Sequence, residues 1–172
     1  MQKYKIIKGN LITKALNGEF DVIVHGCNCF CSQKSGLAPQ MVKVFNTDKF
    51  GREDPIFKGD INKLGHIDYQ YFKIEKGLAI LEKYPEYSNL AVINAYTQYY
   101  NRSNNPIPNS TCLEYDALSL CMMKINHIFK GKHIGLPKIG AGLAGGDWNI
   151  IEQIIKKQLK DCNVTIVEYD GN

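Results

Sequence analysis

A chain of 172 residues is long enough to bury a sizeable core, and we expect one domain over residues 1–172. A hydrophobic content of 44% and a charged content of 22% are typical of a globular protein and exclude a disordered or fibrous chain. The net charge of +4 suits an anionic small ligand but is too small to favour direct nucleic-acid binding, and no run approaches the roughly 20 apolar residues of a membrane span.

The charged amino terminus and the cysteines indicate where the protein works. Met1–Lys5 lacks the apolar core of a signal peptide, so we predict a cytoplasmic protein. The six cysteines are at positions 27, 29, 31, 112, 121 and 162, and three of them fall within five residues. This crowding disfavours a disulfide framework and favours reduced thiols.

The amino-terminal part of the chain predicts two strands and a helix. Tyr4–Lys8 is a short edge-type strand that ends in the turn Gly9-Asn10-Leu11, and Val22–Val24 is a β-branched run typical of a central strand. Apolar spacing predicts a helix over Leu37–Phe45, with Pro39 in its first turn. Ligands of open α/β sheets bind beyond the carboxyl ends of strands, so the polar loop before this helix is the first candidate site.

The middle of the chain predicts a connection followed by three strands. Residues 46–64 are polar and contain Gly51, Asp54-Pro55 and Gly59-Asp60, which indicates a connection and not a second domain. Alternating residues predict a strand pair over His66–Ile74 and Gly77–Leu81. A further core strand, Leu90–Ala95, carries Asn94 near its end, and we expect Asn94 and Gln98 to face the same cleft.

The carboxyl-terminal part continues the alternation of strands and helices. It predicts, in order, a surface loop over Asn101–Ser110, an amphipathic helix over Leu113–Phe129, a strand over His133–Pro137, a helix over Asn149–Leu159 and a strand over Val164–Tyr169. The whole pattern predicts an α/β fold, a layered α/β/α domain with a largely parallel or mixed sheet.

Four glycines form a second candidate loop between a predicted strand and a predicted helix. Gly140, Gly142, Gly145 and Gly146 lie within seven residues, where they let the backbone approach a ligand and turn N–H groups toward an anion. This favours a phosphate or diphosphate, although the spacing is neither that of a Walker loop nor that of a dinucleotide-binding turn. A tight turn for packing the helix on the sheet is the alternative.

Together, three segments of the chain resemble the macrodomains, the family of three-layer α/β/α domains with a central mixed sheet that bind ADP-ribose. The segments are Gly9-Asn10-Leu11, Val22–Ala38 and Leu136–Gly145, and the resemblance covers nearly the whole chain. His25-Gly26-Cys27-Asn28-Cys29 and Gly145-Gly146-Asp147-Trp148 are similar to the yeast-type and bacteriophage ADP-ribose-1″-phosphate phosphatase branch. The last third of the chain also resembles macrodomains that remove ADP-ribose from proteins and DNA.

The resemblance implies a set of ligand-binding residues. It places Asn10 and Leu11 at the turn that contacts adenine, Asn28 at the distal ribose, and Gly36 in the loop under that ribose and the diphosphate. Lys34 is either a contact for a terminal phosphate or an exposed lysine. The predicted ligand-binding residues are Asn10, Leu11, Asn28, Lys34, Ser35, Gly36, Leu37, Asn94, Gly140, Ala141, Gly142, Leu143, Ala144 and Gly145.

Some positions depart from the family pattern. Lys34-Ser35-Gly36 stands where many macrodomains have three small residues, and Ala144 stands where an aromatic residue often covers the ribose, so we expect a more open cleft. In the relatives that remove ADP-ribose, a middle-strand Lys and a last-loop Asp do the chemistry. Tyr71 and Ala144 fall near those positions, with Lys73 two residues away, which disfavours that mechanism here.

Two residues are candidates for hydrolysing a phosphomonoester. His25 can serve as acid or base near neutral pH, a role that the resemblance supports, and Asp147 can orient water or the imidazole. The alternatives are a core histidine satisfied by hydrogen bonds and a helix N-cap. The alternation of His25 with Cys27, Cys29 and Cys31 suggests a zinc site or a thiolate nucleophile. The ligand spacing is wrong for zinc, however, and we expect Cys27 and Cys29 to pack as small buried hydrophobic residues.

We therefore predict a protein that binds ADP-ribose and hydrolyses ADP-ribose-1″-phosphate to ADP-ribose and phosphate, with no metal and no cofactor. Two alternatives remain open. One is a glycohydrolase that acts on an ADP-ribosylated macromolecule, and the other is a reader of ADP-ribose without turnover.

Overall fold

A mixed β-sheet forms the middle layer of the structure, a computed structural model that describes residues 2–50 and 58–171. Within these residues, seven strands run in the order β1-β7-β6-β2-β5-β3-β4; the pairs β5-β3 and β3-β4 are antiparallel, and the other pairs are parallel. The strands are β1 (Tyr4–Gly9), β2 (Val22–Asn28), β3 (Ile67–Glu75), β4 (Leu78–Glu82), β5 (Leu90–Gln98), β6 (His133–Leu136) and β7 (Asn163–Tyr169). The predicted mixed sheet is confirmed.

Four α-helices in the described residues cover the two faces of this sheet. They are α1 (Leu11–Leu16), α2 (Ala38–Phe45), α3 (Tyr115–Ile128) and α4 (Trp148–Gln158). The side chains of β2 alternate between the faces: Ile23 packs with α1 and α2, while Val22 and Val24 pack with α3 and α4. Both faces are therefore buried, which explains the β-branched run in this strand and confirms the three-layer α/β/α fold.

The structure differs from the sequence-based expectation at the start of the chain and in β2. A helix, α1, begins at Leu11, where only a turn was predicted, and the side chain of Asn10 caps it by accepting from the backbone N–H of Thr13 at 3.1 Å. The strand β2 also continues through His25 to Asn28, because residues of this segment pair with β5. His25 is thus a strand residue opposite Asn94.

The predicted connection over 46–64 falls partly on residues that are not described. Gly51 and Asp54-Pro55 belong to the segment 51–57, outside the described residues. The flanking parts contain single 3₁₀ turns at Thr47–Lys49 and Ile61–Lys63. None of the helices in the described part of the chain is long and apolar enough to span a membrane.

Candidate active site

A cleft with two lobes lies beyond the carboxyl ends of the parallel strands. The first lobe, here the His25 lobe, has a volume of about 240 Å³ and is lined by the ends of β2 and β5 and by the glycine loop after β6. The second, here the Tyr169 lobe, has a volume of about 450 Å³ and is lined by Asn10, Leu11, Gln40, Val167 and Tyr169 among others. The lobes share a wall made of Gly36, Leu37, Pro137 and Lys138, so an elongated ligand can occupy both.

His25 lines the His25 lobe and is held in one tautomer. Its ring Nε2 lies 2.6 Å from Oδ1 of Asn94, and the amide nitrogen of Asn94 donates to the carbonyl of Thr47 at 2.8 Å. The amide of Asn94 is thereby oriented with its oxygen toward the ring, so Nε2 carries the proton and Nδ1 is left as the accepting nitrogen. Burial lowers the pKa of His25 from 6.5 to about 4, and the hydrogen bond to Asn94 opposes this shift.

Asn94 belongs to a buried polar network that also includes Thr47 and Gln33. Thr47 donates its hydroxyl to Oε1 of Gln33 at 2.6 Å, and Gln33 donates to the carbonyl of Thr47 at 3.2 Å. Asn94 and Thr47 are fully buried, and Asn94 is not among the residues that line the cleft. Asn94 was expected to face the cleft; the structure places its amide behind His25, where it orients the imidazole. Gln98 does line the His25 lobe, as expected.

Asn28 lines the same lobe and shapes the loop that follows β2. Its side-chain oxygen accepts from the backbone N–H of Phe30 at 3.1 Å and of Ser32 at 3.2 Å, and its amide nitrogen donates to the carbonyl of Ser32 at 2.8 Å. The Asn28 oxygen is therefore engaged in the loop, and one N–H of its amide remains without a partner among these bonds.

The glycine loop packs against the segment before α3. Gly140 has a φ of +75°, and a Cβ on it would lie 2.8 Å from the methyl groups of Leu113. The carbonyl of Ala144 accepts from the backbone N–H groups of Cys112 at 2.9 Å and Leu113 at 3.2 Å. These contacts fix the loop so that Gly140, Gly142, Leu143 and Ala144 line the His25 lobe, whereas Ala141 and Gly145 do not.

Several predicted site residues lie outside the cleft lining. Lys34 is exposed and lines neither lobe, although Ser35, Gly36 and Leu37 next to it do. Asp147 is exposed at the N-cap of α4, where it accepts from the backbone N–H of Asn149 at 2.9 Å, as the alternative reading of this residue expected. On β3, Tyr71 and Lys73 also lie away from the cleft.

The cysteines near His25 behave as buried thiols. Cys27 lies 3.6 Å from Nε2 of His25, and burial raises the pKa of Cys27 well above its ordinary value. Burial likewise raises the pKa of Cys29 to about 12. All six cysteines of the chain are free, and within residues 2–50 and 58–171 no cluster of three or more potential ligands is placed to hold a metal ion. Cys27 and Cys29, with their raised pKa values, are therefore poor nucleophiles at neutral pH.

The cleft contains polar residues that the sequence did not single out. Ser32, Gln33, Thr97, Asn101, Arg102 and Lys138 all line the His25 lobe. The hydroxyl of Thr97 is buried there and has no hydrogen-bond partner in the described part of the chain. The position of Lys138 directly before the glycine loop could have identified it from sequence. Arg102 lies in the loop after β5, and only the tertiary structure brings it to the lobe that His25 lines. No Asp or Glu is found among the described residues that line this lobe.

A phage protein is similar to this chain in sequence and solved structures are similar to it in fold, although no protein-family model matches it. The uncharacterised 17.5 kDa protein of the tk-vs intergenic region of Enterobacteria phage T4 is 34% identical over 174 residues, which cover 96% of each chain. Thermosipho africanus DarTG, solved in complex with ADP-ribose, is similar with a TM-score of 0.69 and 14% identity, over 98% of this chain and 42% of that one. The macrodomain of Thermus aquaticus DarG is similar with a TM-score of 0.60 and 16% identity, over 99% of each chain.

Proposed function

The chain has the macrodomain fold and belongs to one family with the uncharacterised phage T4 protein, and from this we propose that it binds ADP-ribose and hydrolyses ADP-ribose-1″-phosphate. The observation that carries the proposal is a two-lobed cleft. Its His25 lobe is lined by two cations, Arg102 and Lys138, and by the buried His25, with no carboxylate among its described lining residues. Such a lobe favours an anionic group next to a base that is neutral at pH 7.

The two lobes divide the ligand between them. The adenosine half occupies the Tyr169 lobe, where Leu11, Val167 and Tyr169 supply apolar surface and Asn10 stands beside them. The diphosphate crosses the shared wall, where Lys138 offers a positive charge. The distal ribose and its 1″-phosphate then reach the His25 lobe. The complex of Thermosipho africanus DarTG with ADP-ribose, which has the same fold, supports this class of ligand.

The hydrolytic step needs one base and stabilised phosphate oxygens. A water oxygen bonds to phosphorus while a base removes one proton from that water, the bond from phosphorus to the 1″ oxygen breaks, and the same proton passes from the base to the 1″ oxygen, which gives ADP-ribose and inorganic phosphate. We assign the base to Nδ1 of His25, which accepts the proton of the attacking water while Nε2–H stays bound to Asn94. Asn94 is then a positioning residue. Asp147 lies outside the cleft and receives no chemical role.

Phosphate release and ligand binding together test this function. We expect the wild-type protein to release phosphate from ADP-ribose-1″-phosphate and to bind ADP-ribose in calorimetry. His25→Gln keeps a donor for Asn94 but removes the base, so kcat should fall by roughly 10²-fold or more while the dissociation constant of ADP-ribose changes little. His127→Gln, on the exposed face of α3 and outside the cleft, is the matched control and should leave both values unchanged.

The same assays distinguish the other functions. Binding of ADP-ribose without phosphate release would indicate a reader. Release of ADP-ribose from a modified protein or DNA, with no phosphate release, would indicate a glycohydrolase. Full turnover by His25→Gln would remove His25 from the mechanism even if the phosphatase activity itself were found.

A further inference from the structure

Arg102 lies in the loop that leaves β5 and lines the His25 lobe. The residue is exposed, and its neighbour Asn101 lines the same lobe together with Gln98 at the end of β5. Because β5 is paired with β2 alongside His25, the loop after β5 stands beside the loop after β2. Arg102 therefore lines the same lobe as His25 and is exposed to solvent there.

Hydrogen bonds fix the backbone that carries Arg102. Oδ1 of Asn101 accepts from the backbone N–H groups of Ser103 at 2.9 Å and Asn104 at 3.0 Å, and from the hydroxyl of Ser103 at 2.6 Å. In return, Oδ1 of Asn104 accepts from the backbone N–H of Asn101 at 2.8 Å. These bonds close a compact turn around Arg102, so the backbone from which its side chain extends is held in place before a ligand binds.

Aromatic packing ties this turn to the Asn28 loop. Phe30 packs edge-on against Tyr99 with ring centres 5.2 Å apart and stacks on Tyr100 at 6.1 Å. The hydroxyl of Tyr99 also donates to the carbonyl of Gly59 at 2.6 Å. The two loops that border the lobe are thus packed together, and Arg102 has a defined position relative to Asn28.

The guanidinium group of Arg102 has no charged partner among the described residues. It makes no hydrogen bond or ion pair with any residue in the ranges 2–50 and 58–171. Lys138, the other described cation of the lobe, lies 3.6 Å from the carboxylate of Glu168 and also lines the Tyr169 lobe. Lys34 lines neither lobe. By position, Lys138 suits the diphosphate, and Arg102 suits an anion at the far end of the ligand.

We propose that Arg102 binds the terminal 1″-phosphate and makes the cleft selective for ADP-ribose-1″-phosphate over ADP-ribose. This assignment rests on the proposed function, and it replaces Lys34 as the phosphate-binding cation. A guanidinium group presents paired N–H donors that match two phosphate oxygens, and its charge is retained at every physiological pH. ADP-ribose lacks that phosphate and gains nothing from Arg102.

Dissociation constants of the two ligands test the assignment. They are measured by calorimetry in a His25→Gln background, with phosphate release monitored to show that the ligand is not consumed. Arg102→Gln should weaken ADP-ribose-1″-phosphate by roughly tenfold or more and ADP-ribose by less than about twofold. Arg102→Lys should recover part of the selectivity, because it restores the charge without the paired donors. Lys34→Gln is the matched control and should change neither constant.

Three results would overturn the assignment: an equal loss for both ligands, which would place Arg102 at the diphosphate; no loss for either ligand; and a selective loss in Lys34→Gln. Failure of the proposed function looks different. If the wild-type protein binds both ligands but releases no phosphate, the hydrolase proposal fails, while the ratio of the two constants still decides the role of Arg102. Absence of binding to either ligand would overturn both.

Discussion

His25 shows how burial and one hydrogen bond set the chemistry of a residue. Its side chain is 2% exposed, which lowers the pKa to about 4, and its Nε2–H is held by Asn94. Two descriptions of this residue from sequence, a satisfied core histidine and a base, are therefore compatible. The imidazole is satisfied at Nε2, and it is neutral at pH 7 with Nδ1 able to accept a proton.

The lowered pKa of His25 predicts a loss of stability in acid. Between pH 6.5 and pH 4 the unfolded chain binds a proton at His25 that the folded chain does not, so stability falls as the pH falls through this window. From pH 7 to pH 4.5 the wild-type protein should lose roughly 2 kcal/mol more unfolding free energy than His25→Gln. Urea unfolding of both proteins at the two pH values measures this difference. Parallel losses would show that His25 is not a buried neutral imidazole.

At the scale of elements, the glycines in the loop between β6 and α4 differ in how strictly the structure requires them, as Gly140 and Gly142 show. Gly140 has a φ of +75°, and a Cβ there would meet Leu113 at 2.8 Å, whereas a Cβ on Gly142 would meet nothing within 4 Å. Gly140→Ala should therefore lower the unfolding free energy by roughly 2 kcal/mol through backbone strain and overpacking. Gly142→Ala should stay within about 0.5 kcal/mol of the wild type. Chemical unfolding of the two variants compares them, and equal stabilities would contradict this account of the loop.

Elements with strong patterns were predictable from sequence, and elements set by single caps were not. The continuous apolar runs in β2 and β5 and the apolar spacing in α2, α3 and α4 predict each of these elements to within a few residues. The helix α1 was missed because six residues carry too little periodicity, and Gly9-Asn10 reads as a turn although Asn10 is the N-cap. Asp147 carries the same ambiguity, because one carboxylate after a glycine loop fits both a cap and a site.

At the scale of the whole molecule, the sheet brings together residues that the sequence keeps apart. His25 and Asn94 are 69 positions apart in the chain but are opposite each other in β2 and β5. The two candidate loops of the sequence, the polar loop after β2 and the glycine loop after β6, both line the cleft. Which side chains line it depends on how the loops pack, which the sequence pattern does not show: the pattern favours Lys34 and gives no signal for Arg102.

The division of the cleft into two lobes predicts that the halves of the ligand bind independently. Tyr169 is 63% exposed at the end of β7 and lines only the Tyr169 lobe, which we assign to adenosine. Tyr169→Ala should therefore weaken AMP and ADP-ribose by a similar factor, roughly five- to tenfold, through the loss of one aromatic contact. Tyr87→Ala removes a tyrosine of equal exposure outside the cleft and should affect neither ligand. Calorimetric titration with AMP and ADP-ribose makes the comparison. If Tyr169→Ala weakened ADP-ribose but left AMP unchanged, adenosine would bind elsewhere, and the orientation proposed for the ligand would have to be reversed.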